Sequence, residues 1–278
     1  MRELAGRVAV VTGAASGIGN GLAHRWAREG MRVVLADIEE EALAKAAAEL
    51  SAGGAEVLAV PVDVSKAEQL EMLADRTYEA FGAAHILCNN AGVGAGGLIS
   101  DLRIEDWQWT LGVNMWGVIH GLTAFLPRML QGGEEGHIVN TASLAGLVAA
   151  PFMAPYNAGK FAVVAISESL FHELSMTGSQ IKVSVLCPGW VNTRIFESER
   201  NRPAALGGGG DHAPDARAQM LRGVLEAGLQ PAEVADQVFD AVANERLYVI
   251  THPDMLPAVE ARMRAILDGT NPALTMIV

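Results

Sequence analysis

Cysteine is nearly absent from this chain of 278 residues; Cys88 and Cys187 are the whole supply. Two thiols cannot build a disulfide scaffold, and such sparse use of cysteine fits a reducing compartment. Basic residues are also scarce, 20 Lys and Arg against 32 Asp and Glu, for a formal charge of −12. That balance argues against a nucleic-acid backbone or an anionic membrane surface as the main partner. Nowhere do 18 apolar residues run consecutively, and MRELAGRVAVVTG at the N-terminus lacks the apolar stretch and cleavage site of a secretory signal. A soluble cytoplasmic protein is expected. The seven histidines hold no i, i+4 pair and are read as surface or packing residues, so no metal is expected. The absence of a GxSxG elbow disfavours a hydrolase.

Half of the residues are hydrophobic and 19% are charged, enough to form a large core. Short apolar runs alternate with longer helical patterns. Strands are expected over 7–13, 31–37, 56–64, 85–92, 137–143, 182–189 and 246–253. Helices are expected over 21–30, 38–54, 66–82, 104–130, 156–177, 231–246 and 254–268. The strands are continuously apolar rather than alternating, which means burial on both faces in a parallel sheet covered by helices. The order predicts an α/β, doubly wound, Rossmann-like sheet in three α/β/α layers, forming one domain over residues 1–278. One stretch, NRPAALGGGGDHAP (201–214), has no periodicity, and the helical pattern after it (216–228) is too short to start a second core. Residues 194–228 are therefore read as a variable substrate loop, a lid inserted in the single domain.

TGAASGIG (12–19) follows the first strand and opens the first helix. Glycines at 13, 17 and 19 allow a tight turn and let a pyrophosphate approach backbone N–H groups at a helix N-terminus. Asp37 ends the second strand, 18 residues past Gly19. A carboxylate there can accept hydrogen bonds from an adenosine ribose and would repel a 2′-phosphate. Ser16 and Ile38, where a base could receive that phosphate, are neutral, so NAD is favoured with NADP as the alternative. Asp37 would equally serve as a favourable charge at a helix N-terminus. Asp63 and Val64 end the third strand and Asn89-Asn90-Ala91-Gly92 the fourth, so four strand ends converge on one groove.

These motifs, with Asn114, Ser143, the YNAGK pattern of Tyr156 and Lys160, and PGWVNT at 188–193, resemble the short-chain dehydrogenase/reductase family, in unbroken order over roughly residues 5–195. The resemblance implies that Gly13, Ser16, Ile18, Asp37, Asp63, Val64, Asn90, Gly92, Tyr156, Lys160, Gly189 and Thr193 touch the dinucleotide. Gly17, Gly19, Ile38 and Ala91 complete that set, and Pro188 and Val191 would lie beside the nicotinamide. It further implies that Asn114 holds a water linking Lys160 to solvent, and that the helices at 104–130 and 156–177 assemble dimers or tetramers. Those helices carry more apolar residues than one stripe needs, among them Trp107, Trp109, Trp116 and Phe161.

A free tyrosine has a pKa of about 10, and a nearby cation lowers an acid's pKa by roughly 1–3 units. Lys160 lies one helical turn from Tyr156, so both can share a face. Tyr156 is then the candidate acid/base, Ser143 holds the substrate oxygen, and Lys160 tunes the tyrosine and binds the nicotinamide ribose. The expected activity is interconversion of a secondary alcohol and a ketone by hydride transfer. Leu144, Phe152, Met153, Trp190, Ile195 and Phe196 flank the motifs, suggesting either an apolar pocket for an alicyclic, aromatic or fatty substrate or simply core. Two other readings stand beside this one: a lyase or epimerase on the same scaffold, and a non-catalytic dinucleotide-binding protein.

Overall fold

A computed structural model describes residues 3–208 and 223–273. Seven strands form one parallel sheet in the order β3-β2-β1-β4-β5-β6-β7. They are β1 (Val8–Thr12), β2 (Arg32–Asp37), β3 (Val57–Pro61), β4 (Ile86–Asn89), β5 (Gly136–Thr141), β6 (Ile181–Cys187) and β7 (Tyr248–Ile250). The chain winds outward from β1 to β3, then crosses back to β4 and winds the other way. A crevice therefore opens where β1 and β4 lie side by side, outside their carboxyl ends.

Successive side chains on a strand point to opposite faces, and each face meets its own helical layer. Ala9 and Val11 of β1 face Leu22 and Trp26 of α1 (Gly17–Arg28), Leu43 of α2 (Glu40–Ala52) and Val238 of the helix Pro231–Ala243. Val8 and Val10 face Leu70 of α3 (Ala67–Phe81), and Phe125 and Leu170 from the two long helices described next. This two-sided burial is why the strands read as unbroken apolar runs; each fully buried aliphatic side chain contributes about 1.5–3 kcal/mol.

The single helix expected over 104–130 is divided. α4 (Ile104–Leu111) passes through a π-helical turn (Gly112–Trp116) into α5 (Gly117–Gly132). Its apolar pattern is continuous, so nothing in the residue periodicity marks the wide turn. α6 (Ala154–Met176) carries Pro155 in its first turn, where the missing N–H is no loss. Among the described helices that follow β6 are α7 (Pro231–Ala243) and α8 (Leu256–Leu267). Helix α1 begins at Gly17, a turn earlier than expected, and β7 keeps only Tyr248–Ile250 of the expected 246–253. Most of the helix expected at 216–228, and the central part of the 194–228 loop, lie outside the described residues. No helix among the described residues is long and apolar enough to cross a membrane.

Candidate active site

Backbone geometry at the end of β1 requires glycine. Gly13 and Gly17 have φ of 67° and 56°, in the left-handed region. Gly19 is needed for another reason: a Cβ there would sit 2.1 Å from the Gly13 carbonyl oxygen. Helix α1 can thereby start directly beneath the turn. Ser16, its N-cap residue, makes no side-chain capping bond, and no acidic residue occupies the first turn. The leading N–H groups and the positive end of the helix dipole are thus left for an external anion.

Asp37 closes the outer side of this turn. Its carboxylate accepts from the Ala15 N–H at 2.9 Å and the Glu39 N–H at 3.0 Å. Burial raises its pKa above the ordinary carboxylate value, against the opposing pull of those two N–H donors.

The β4 end is tied to β1 through Thr12. Its hydroxyl oxygen accepts from the N–H groups of Asn90 (2.9 Å) and Ala91 (3.1 Å), while the Asn90 amide donates to the Thr12 carbonyl at 3.0 Å. Asn114, fully buried in the π-helical turn, grips the next residues: its Oδ1 accepts from Val93 N–H at 2.8 Å and its Nδ2 donates to Val93 O at 2.9 Å. A Cβ on Gly92 would lie 3.2 Å from Asn114 Oδ1 and 3.5 Å from Lys160 Nζ. The glycine thus lets both side chains close on the backbone.

Ser143 follows β5 and caps a short 3₁₀ turn, accepting from Ala145 N–H at 3.1 Å. Its hydroxyl also donates to the Pro188 carbonyl at 3.4 Å; burial pushes the Tyr156 phenol pKa up, and the Ser143 hydroxyl opposes the rise. Lys160 is buried, donates to the Thr141 carbonyl at 2.8 Å, and holds Nζ 5.6 Å from the Tyr156 ring centre. Burial lowers its pKa to about 8, so at pH 7 roughly ten ammonium forms remain for each amine. Burial dominates at Tyr156, so its phenol pKa is raised rather than lowered as the spacing with Lys160 alone suggests.

A cavity of about 590 Å³ runs along the strand ends. It is lined by Gly13, Ser16, Gly17, Ile18, Asp37, Ile38, Asp63, Val64, Asn90, Ala91 and Gly92 toward the first four strands. Ser143, Tyr156, Lys160, Pro188, Gly189, Val191 and Thr193 line the remainder. Gly19 and Asn114 stand behind this wall, the first packed on Gly13 and the second on Val93. Of the six apolar residues expected around a substrate, only Ile195 lines the cavity. Leu144 is core, Trp190 pairs with Phe196 at 6.5 Å between ring centres, and Phe152 is 40% exposed with a φ of 63°. Apolar lining comes instead from Val93, directly after Asn89-Asn90-Ala91-Gly92, from Trp109 of α4, and from Leu206 and Leu225 within the expected 194–228 substrate loop. Thr12 and Thr141 are supports that motif reading passed over, although Thr12 opens the glycine motif itself.

The profile of the short chain dehydrogenase family matches residues 7–204. A curated relative, the CLA biosynthesis dehydrogenase/reductase of Lactiplantibacillus plantarum, is 34% identical over 277 residues, covering 98% of this chain and 97% of its own. The C alpha-dehydrogenase of Sphingobium sp. (strain NBRC 103272 / SYK-6) is 34% identical over 273 residues, covering 98% of this chain and 89% of its own. Among solved structures, a short chain dehydrogenase/reductase from Burkholderia phymatum in complex with NAD superposes with a TM-score of 0.95 at 45% identity, covering 99% of both chains. With the glycine turn, the convergent strand ends and the Ser143, Tyr156 and Lys160 cluster in one cavity, these matches make the chain a member of the short-chain dehydrogenase/reductase family of oxidoreductases.

Proposed function

We propose that this protein is an NAD-dependent oxidoreductase that interconverts a secondary alcohol and a ketone on an apolar substrate. The observation that carries this reading is the grouping of Ser143, Tyr156 and Lys160 on the wall of one cavity, with Lys160 Nζ 5.6 Å from the Tyr156 ring centre.

The residues fit a dinucleotide. A turn packed too tightly for a Cβ at Gly13 or Gly19, an α1 N-terminus with no side-chain cap and no acidic residue in its first turn, and a carboxylate at the end of β2 are the features such a ligand uses. Gly13, Ser16, Gly17 and Ile18 would hold the pyrophosphate, Asp37 the adenosine ribose, and Asp63 and Val64 the adenine. Asn90, Ala91, Gly92, Pro188, Gly189, Val191 and Thr193 would flank the nicotinamide half. When bound, the nicotinamide supplies the hydride acceptor or donor.

The chain's own residues handle the proton. Ser143 orients the substrate oxygen against Tyr156, which takes the hydroxyl proton in oxidation and returns it to the carbonyl in reduction. Lys160, held by Thr141, stabilises the phenolate by its charge. Asn114 fixes Val93 and so the floor beneath Lys160. Asp37 favours NAD, because a 2′-phosphate would meet a carboxylate that already receives two backbone donors and cannot turn away. The apolar walls at Val93, Ile195 and Leu206 support a hydrophobic substrate. Trp116 on the π-helical turn is 48% exposed, which supports assembly of at least a dimer through α5 and α6.

The test is a panel of alicyclic, aromatic and fatty secondary alcohols assayed by the absorbance of reduced NAD, with NADH and NADPH titrated separately. Turnover with at least one alcohol and tighter binding of NADH are expected. Tighter binding of NADPH would overturn the role given to Asp37.

A further inference from the structure

The segment after PGWVNT does more than border the substrate. Residues 195–201 form a 3₁₀ helix whose side chains, with that of Arg202 just after it, reach three separate parts of the molecule. Buried Ser198 accepts from the Gly94 N–H at 3.1 Å, tying the segment to the loop after β4. Arg200 donates to the Glu39 carboxylate through Nε (3.1 Å) and a terminal nitrogen (2.5 Å), and Asn201 adds a third bond to the same Oε1 at 3.0 Å. Arg200 also donates to the Glu197 carbonyl at 2.8 Å, which keeps the guanidinium from swinging freely. Its hydrogen bonds hold the Glu39 carboxyl below the ordinary carboxylate range.

Arg202 makes the next anchor. Its side chain is only 5% exposed, and it meets Asp106 of α4 at 2.5 Å. It also stacks 5.1 Å above the Trp109 ring and donates to the Leu206 carbonyl at 2.7 Å. Burial alone would raise the Asp106 pKa; the Arg202 hydrogen bond, helped by the Arg103 N–H, holds it below the ordinary value.

The positions of these anchors matter. Glu39 stands two residues beyond Asp37, at the outer end of β2. α4 leads into the π-helical turn and α5, which lie over the end of β3: Gly112 of the turn faces Ser65, and the His120 ring of α5 bonds the Val64 carbonyl at 3.0 Å. Segment 200–206 therefore spans from the β2 end to the helix beside the β3 end, and Arg200, Asn201, Pro203, Ala205 and Leu206 line the same cavity as Asp37 and Val64. A loop that served the substrate alone would need no fastening at this end.

We propose that Glu39–Arg200 and Asp106–Arg202 form a two-point clasp across the adenosine end of the groove, and that this clasp sets how long the dinucleotide stays bound. The inference rests on the dinucleotide reading above. Leaving the groove requires opening the clasp, so weakening either ion pair speeds release without touching the groups that move the proton. Retention is then set by charged hydrogen bonds that the chain can break and remake, rather than by the fixed glycine turn.

The experiment is stopped-flow displacement of NADH from the full-length protein, followed by nicotinamide fluorescence, for the wild type, Glu39→Gln, Arg200→Gln and Arg202→Met. Thermal melts verify that each variant is folded. Release should accelerate about threefold for the two variants at the half-exposed pair and about tenfold for Arg202→Met, whose partner would be left enclosed. The reversed pair Glu39→Arg with Arg200→Glu should restore release to within about twofold of wild type. Unchanged release rates in all folded variants would overturn the clasp while leaving the dinucleotide reading intact. Failure of the wild type to bind NADH or NADPH would overturn that reading itself, and the clasp with it.

Discussion

The two ends of the groove are built by opposite means. At the catalytic end, Asn114 and Lys160 are buried and bonded to backbone carbonyls and N–H groups, so their positions follow from the sheet and from α6. At the adenosine end, the covering segment is held by side-chain ion pairs, Arg200 to Glu39 and Arg202 to Asp106. A proton transfer needs groups fixed to a fraction of an ångström, and backbone anchoring in a dry wall supplies that. A cofactor that must enter and leave at every turnover needs a cover that opens, and ion pairs supply that. The molecule separates precision from exchange by the type of bond used at each end.

The most severe break should come from Tyr156→Phe. It removes the phenol oxygen and keeps the ring, so it should cut turnover by about 10³-fold while the NADH dissociation constant moves less than about threefold. Steady-state rates beside a fluorescence titration separate the two quantities. Next comes Gly19→Ala, which acts beneath the groove. Its methyl group would meet the Gly13 carbonyl, so the turn must shift; we expect a loss of about 1–3 kcal/mol in stability and a weaker grip on the dinucleotide, read by denaturant melts and titration.

How much of this was legible in the residues differs between the same two ends. The proposed catalytic groups lie at fixed short spacings or at the ends of apolar runs, so the meeting of Ser143, Tyr156 and Lys160 in one cavity could be anticipated from the chain alone. The parallel sheet was equally plain, because strands buried on both faces leave continuous apolar runs. The clasp was not legible: Glu39 and Arg200, or Asp106 and Arg202, are far apart in sequence, and each looks like an ordinary surface charge. Direction was also hidden. Leu144 and Trp190 flank the motifs as closely as Ile195 does, but only the fold decides that Ile195 faces the cavity. The π-helical turn around Asn114 left no trace either, since five residues of wide helix do not disturb an apolar stripe.

A pH profile sharpens the comparison at the catalytic end. Burial raises the Tyr156 pKa, so the phenolate that oxidation needs becomes scarcer as pH falls. The logarithm of kcat/KM for alcohol oxidation should rise with a slope near one below pH 8. Lys160, with a pKa of about 8, loses its charge above that value, so the rise should flatten or turn over there. A flat profile from pH 6 to 8 would argue against phenol ionisation as the limiting requirement. The smallest effect is expected from salt. Near 1 M NaCl the Debye length is about 3 Å, so the partly exposed Arg200–Glu39 pair should weaken and NADH release should quicken by about twofold. The single-turnover rate of hydride transfer, set by buried groups, should stay constant across the same range.

The most direct measurement of the central claim is a pre-steady-state reaction of the wild type and Tyr156→Phe, both saturated with NAD and mixed with an alcohol that the panel identifies as a substrate. The proposed mechanism predicts a burst of reduced nicotinamide in the wild type and its loss in Tyr156→Phe, with equal NAD occupancy in the two proteins. A burst of similar rate in Tyr156→Phe would contradict it, because proton transfer would then run without the phenol on which the whole site converges.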